Sequence, residues 1–178
     1  MMNLDYYAKY VKYKNKYINL RKQQQKMGGA SLTLSSPAFV DGGFIPVKYS
    51  CDSGTESGSQ PPLKWSNVPK GTVSFAITVE DPDAQGKIWE HWNVWNIPGD
   101  KTDVSGNFQV GKNTKNELEF RNPCPSSGSK PHRYIFTLYA VDKMLNLEPA
   151  ITDKKTLLDA LKNHILGKAK LIGKYKRK

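Results

Sequence analysis

The chain has 178 residues, 38% of them hydrophobic and 24% charged, with a formal net charge of +11. That length predicts one domain with at most an appendage, and a body of roughly 150 residues buries about 70% of its unfolded surface, enough for a core of its own. No apolar run is long enough to span a bilayer, no apolar h-region marks a secretory signal, and two cysteines without close spacing, Cys51 and Cys124, exclude a disulfide scaffold and a zinc site and predict reduced thiols in an intracellular compartment.

The charge sits at the ends. Residues 1–27 carry seven Lys/Arg against the single Asp5, and the last eleven residues add Lys168, Lys170, Lys174, Lys176, Arg177 and Lys178. A nearly neutral body with basic ends does not predict specific nucleic-acid binding; the ends suit long-range attraction to phosphates or anionic lipid, or simple solvation. Tyr6, Tyr10, Tyr13, Tyr17 and Leu20 recur at helical spacing, with lysines over much of the remaining face. Residues 1–30 therefore read as a separate basic helical extension ending at Gly28–Gly29, fit for peripheral contact with a membrane or a partner. A weakly ordered tail is the alternative.

From residue 31 onward the pattern changes to short β-like runs between turns. Ser31–Leu34, Val47–Ser50 and Leu63–Trp65 are short strand candidates, and Ser74–Glu80 predicts a strand with Phe75, Ile77 and Val79 on one side. Pro82, lacking an N–H, ends that ladder. Trp89–Ile97 predicts the next strand, with Trp89, His91, Asn93, Trp95 and Ile97 sharing a face by alternation. Residues 99–131 form a long loop, a length usually functional or disordered. His132–Val141 predicts a central strand, with His132, Tyr134, Phe136 and Leu138 on one side. Thr152 reads as an N-cap for a helix through Leu157, Leu158, Leu161 and Ile165 that Gly167 ends, and Ala169–Tyr175 as a closing strand. The expected fold is mostly β, an antiparallel β-sandwich with one C-terminal helix, spanning 31–178.

Polar chemistry concentrates in Asp81-Pro82-Asp83, His91 and His132-Arg133-Tyr134. If the strands are near neighbours, Asp81, His91, His132 and Tyr134 converge at one end of the sheet. Imidazole, phenol and loop N–H groups together would receive a phosphate or carboxylate, with Asp81 or Asp83 accepting from an ammonium group or orienting an imidazole. Each piece alone has a plainer reading: a satisfied core histidine, an Asp-Pro turn, core tryptophans. Two His and two Asp are also a ligand set for a divalent ion, but no HExxH, P-loop or nucleophile elbow is present, and neither catalysis nor a cofactor is expected.

DPDAQGKIWEHWNVWNIP and NPCPSSGSKPHRYIFTLYAVD resemble the phosphatidylethanolamine-binding protein family, in its bacterial and archaeal branch, also called Raf-kinase-inhibitor-like. SPAFVDGGFIPVKYSCD, PPLKWSNVPKGTVSFAITVEDPDA and LLDALKNHILGKAKLIGKY fit the same branch, so the resemblance spans about residues 31–175. It implies a β-sandwich with an anion cavity near one end. By motif, Asp81 and Asp83 match the aspartates of the family's DPDxP turn, and His91 the histidine after it. Pro123 and Pro125 match a proline-bearing loop, and His132 and Tyr134 the HRY element. Gln85 stands where the family usually has proline, and Arg121-Asn122-Pro123 replaces a Gly-led version of the loop. The implied ligand is a phosphate-containing or anionic group such as the phosphoethanolamine head group. An alternative implied role is inhibition of a kinase or protease through surface contacts. The KYxKYKxKYxxL leader and the Gly28-Gly29-Ala30 sequence resemble leaders and cleavage sites of giant DNA virus proteins, which implies packaging in a virion, whereas the thiols and the missing h-region predict the cytoplasm.

Overall fold

The computed structural model describes residues 31–177; the expected N-terminal helix lies outside them. Among these described residues seven strands form in chain order: β1 (Thr33–Ser35), β2 (Lys64–Ser66), β3 (Ser74–Asp81), β4 (Trp89–Pro98), β5 (Gln109–Val110), β6 (His132–Val141) and β7 (Ile165–Tyr175), with one α-helix, α1 (Lys154–Leu161), before β7. β1 and β2 make a two-stranded sheet; the other five make a second sheet in the order β5-β4-β3-β6-β7. Every ladder between named strands is antiparallel. The fold is mostly β with one C-terminal helix, as the sequence predicts.

β3 lies at the centre of the large sheet, and its sequence suits that place. Seven of its eight residues are buried, and a short, continuous run rich in β-branched and aromatic residues is what a strand covered on both faces requires. On one face Phe75, Ile77 and Val79 join Trp92, Val94, Ile97, Phe136 and Leu138, and the small sheet adds Leu34 and Trp65. Trp65 and Phe75 meet at 5.0 Å between ring centroids, within the range where aromatic pairs attract. On the other face Ala76, Trp95, Tyr139 and Val141 pack under Leu157 and Leu161 of α1.

Three expectations of local structure need correction. Val47–Tyr49 is a 3-10 turn rather than a strand. Pro46 precedes it and accepts from the Tyr49 N–H at 2.9 Å, and the Ser50 hydroxyl bonds to Val47 O and accepts from Asp52 N. Such side-chain bonds hold a turn against extension. Asp153, not Thr152, caps α1 by accepting from Thr156 N at 2.8 Å. The helix ends at Leu161 because Asn163 turns the chain at φ 70°, so Ile165 and Gly167 belong to β7. There Gly167 leaves room for Pro69, which a Cβ would meet at 2.7 Å.

The third correction is to the facing of β4. Its pairing with β3 slips twice, between Phe75 and Ile77 and between Val79 and Glu80. Each slip places one extra residue in β4, near Asn96 and at His91, and an extra residue reverses the alternation beyond it. Ile97 therefore shares a core with Trp92 and Val94, while Trp95 faces α1.

The cysteines are not free thiols. Cys51 and Cys124, 73 residues apart, form a disulfide. Their loops run together, with Cys51 N donating to Pro123 O and Asn122 N to Glu56 O, which brings the two Cα atoms to 5.3 Å, inside the range a disulfide bridges. The bridge removes the argument for a reducing compartment that two unpaired cysteines would have made.

Candidate functional site

The end of β3, the start of β4 and the start of β6 lie side by side, because Asp81 pairs with Trp89 across one ladder and Glu80 with Ile135 across the other. Asp81 and His132 thus meet: the His132 Nδ1–H donates to Asp81 Oδ2 at 2.7 Å. The other carboxylate oxygen accepts from Asp83 N at 2.8 Å, closing a turn of the kind Asp side chains favour. Asp81 is 3% exposed, so its charge is held by directed bonds rather than by water.

His91 sits beside this pair with its ring edge-on to Tyr134, centroids 5.1 Å apart. Its Nδ1 lies 2.7 Å from the Arg121 carbonyl oxygen. A carbonyl only accepts, so Nδ1 carries the proton and the tautomer is fixed. Burial pushes the His91 imidazole down to about 4, against a smaller opposing pull from the Arg121 carbonyl and the Asp81 charge. The ring is neutral at pH 7. Burial likewise pushes the Tyr134 phenol well up, and it stays a neutral hydroxyl.

These four side chains line a cavity of about 340 Å³. Its walls are the Trp89 indole and Ala84–Gln85 from the turn, with Lys115, Arg121, Asn122, Cys124, Pro125, Ser126 and Ser129 from the long loop. Asp81, His91, Pro125, His132 and Tyr134 are thus brought together, whereas Asp83 and Pro123 are not among the lining residues. Asp83 instead grips Arg133 on the outer face of β6, accepting from Nε at 2.9 Å, from an outer guanidinium nitrogen at 2.7 Å and from the Arg133 backbone N–H at 2.9 Å. That grip, led by the side-chain bond to Arg133, pulls the Asp83 carboxyl down to about 2. Its effect is to strap the turn after β3 to the strand that carries His132.

The cavity is less positive than its arginine suggests. Arg121 pairs with both Glu56 and Glu117, which leaves Lys115 as the lining lysine without an acidic partner among the described residues. Ser129 Oγ is buried and has no hydrogen-bond partner there. Lys115, Ser126 and Ser129 come from the irregular loop, where no periodicity marks a residue as facing anything; its length was the available signal. Trp89 and Gln85 stand in the recognisable turn motif but read there as core and as a departure from proline. No group of three or more His, Cys, Asp or Glu among the described residues is arranged to hold a metal ion.

Comparison with known proteins bears on the chain's family. The sequence profile described as phosphatidylethanolamine-binding protein matches residues 35–176. The chain belongs to the phosphatidylethanolamine-binding protein family. It is 43% identical over 156 residues to the UPF0098 protein of Methanothermobacter thermautotrophicus, covering 82% of this chain and 99% of that one. Among solved structures it resembles a phosphatidylethanolamine-binding protein homologue from Chlamydia trachomatis, with a TM-score of 0.75 at 36% identity over 83% of this chain and 99% of the other. Escherichia coli YbcL, described as a new member of the mammalian PEBP family, matches with the same TM-score of 0.75 at 29% identity, over 84% of this chain and all of that one.

Proposed function

We propose that this member of the family is a non-enzymatic binding module whose cavity holds a phosphate-type group, the phosphoethanolamine head group being the natural candidate. The observation that carries the reading is the convergence of the Asp81–His132 pair, neutral His91, Tyr134 and the unpartnered Ser129 hydroxyl on one cavity of about 340 Å³. Such a cavity takes a head group and not a whole lipid. Trp89 supplies an apolar wall for the carbon stem, and Asp81, 3% exposed, puts a carboxylate within reach of an ammonium.

Two features support binding over turnover. Cys124 is tied up in its disulfide, and Ser129 Oγ has no base beside it to take its proton, whereas an activated nucleophile needs a hydrogen-bonded base or a depressed pKa. A phosphorus NMR titration of the full chain with phosphoethanolamine tests the reading. Saturable broadening or shift is expected for the wild type, weakened at least about tenfold in His132→Ala by the loss of a charge-assisted contact. Identical spectra for the two proteins across millimolar ligand would sink it.

A further inference from the structure

His91 and His132 share a constraint that narrows the ligand further. Both spend Nδ1–H on an acceptor of the protein itself, the Arg121 carbonyl at 2.7 Å and the Asp81 carboxylate at 2.7 Å. Both rings line the cavity, and neither Nε2 has a hydrogen-bond partner among the described residues. The two histidines therefore meet a ligand through Nε2. In a neutral ring with its proton on Nδ1, that atom is a lone pair, an acceptor with nothing to donate.

For His91 the neutral state is built in. It is 4% exposed, with the Tyr134 ring against it, and it titrates only near pH 4. The charged or titratable groups around it do not overturn this. Asp81 favours a charge on His91; Arg121 and His132 oppose one. Lys115 lines the same cavity, and Tyr134 stays an uncharged phenol. A fully deprotonated oxyanion would bring its own lone pairs up to the His91 lone pair. One of the two would then be buried without a partner, which weakens binding by at least about fivefold.

We propose that the cavity selects oxyanions that carry a proton, accepting the P–O–H of a phosphate or phosphate monoester on His91 Nε2 while the remaining oxygens take donors such as Ser129 Oγ. This inference rests on the phosphate reading above and adds to it a criterion of protonation. It names the ligand class as hydrogen phosphate or a protonated monoester, from a free metabolite or a cleaved head group. The phosphodiester of an intact lipid has no such proton.

The experiment compares oxyanions matched in charge and size. At pH 8 inorganic phosphate and sulfate are both tetrahedral dianions, and only phosphate keeps a hydroxyl. Calorimetry on the full chain is expected to give phosphate an affinity at least about fivefold above sulfate, the lower end of what one unpartnered buried group costs. Methyl phosphate loses its last proton near pH 6, so its affinity relative to inorganic phosphate should fall as pH rises from 5.5 to 8. Dimethyl phosphate, with no proton at either pH, represents the lipid diester and should bind weakly at both. In His91→Gln, whose amide donates as well as accepts, the phosphate-to-sulfate ratio should move toward one. Equal affinities of the wild type for phosphate and sulfate, or a diester bound as tightly as phosphate, would overturn the proton criterion and leave the phosphate cavity standing. Binding of none of these ions would overturn both.

Discussion

At the scale of single residues, His91 is the group whose chemistry is most altered by the fold. In the unfolded chain it titrates near its ordinary value of 6.5, and in the folded protein burial holds it near 4. Between those values the unfolded state binds a proton that the native state refuses. Stability supplied by neutral His91 is therefore fully present above pH 6.5 and is lost as pH falls toward 4, by roughly 3 kcal/mol in all. Urea unfolding at pH 7.5 and 4.5 should show this loss in the wild type on top of what the carboxylates contribute. His91→Gln has no such proton, and the wild-type-minus-variant difference should shrink by roughly 2–3 kcal/mol at the lower pH. A difference independent of pH would mean that the ring is not held neutral. Asp81 and Asp83, two residues apart, show how much position decides: the first is buried and bonded to His132, the second is surface-side and bonded to Arg133. Nothing in Asp-Pro-Asp as a sequence says which carboxylate turns inward; the two ladders meeting at Asp81 do.

At the scale of elements, the strands that build the site were legible where they were long. β3, β4 and β6 follow their hydrophobic runs within a residue or so of the expected ends, and the inward placement of Tyr134, Phe136 and Leu138 follows alternation. The short pieces were not legible, because three residues such as Val47–Tyr49 carry no period and local Ser and Pro bonds decide their form. Nor were the two bulges in β4. Alternation assumes one residue per step, and an inserted residue leaves no mark in composition. The bulge near Asn96 has a physical device that can be tested. Asn96 sits at φ 61°, its side-chain amide donates to Leu145 O at 2.9 Å, and its oxygen accepts from Leu145 N at 2.8 Å. Asn tolerates the left-handed region better than most residues, and this one also locks the strand to the segment leading toward α1. Asn96→Ala forfeits both bonds and keeps the unfavourable φ, so it should cost about 2 kcal/mol or more in chemical denaturation. Asn96→Gly, relieved of strain, should recover part of that. A neutral Asn96→Ala would show that the bulge is held by the sheet alone.

At the scale of the whole molecule, the cavity is assembled from segments far apart in sequence, and the disulfide shows why its loop half was hard to read. Positions 51 and 124 share no motif and no spacing rule; only the folded course of residues 51–59 beside 120–124 makes them neighbours. That course is also zipped by Gly58 N to Phe120 O at 2.8 Å, Asn122 N to Glu56 O at 2.8 Å and the Asn122 amide to Thr55 O at 2.9 Å. The cross-link and the zipper act on different states. A disulfide closing a loop of 73 residues mainly restricts the unfolded chain, by roughly 2–5 kcal/mol. The hydrogen bonds hold the native arrangement itself. Cys51→Ser/Cys124→Ser should therefore unfold at lower urea with a stability loss of that order, while its phosphate affinity stays within about threefold of the wild type, since a loss of under 1 kcal/mol is all that slight loosening of an already bonded loop predicts. Calorimetry and urea unfolding on the same preparation separate the two effects. If affinity collapsed in a variant that remained folded, Cys124 would be holding the cavity wall by its covalent bond, and the hydrogen-bonded zipper would be too weak to keep the Pro123–Ser129 loop in place.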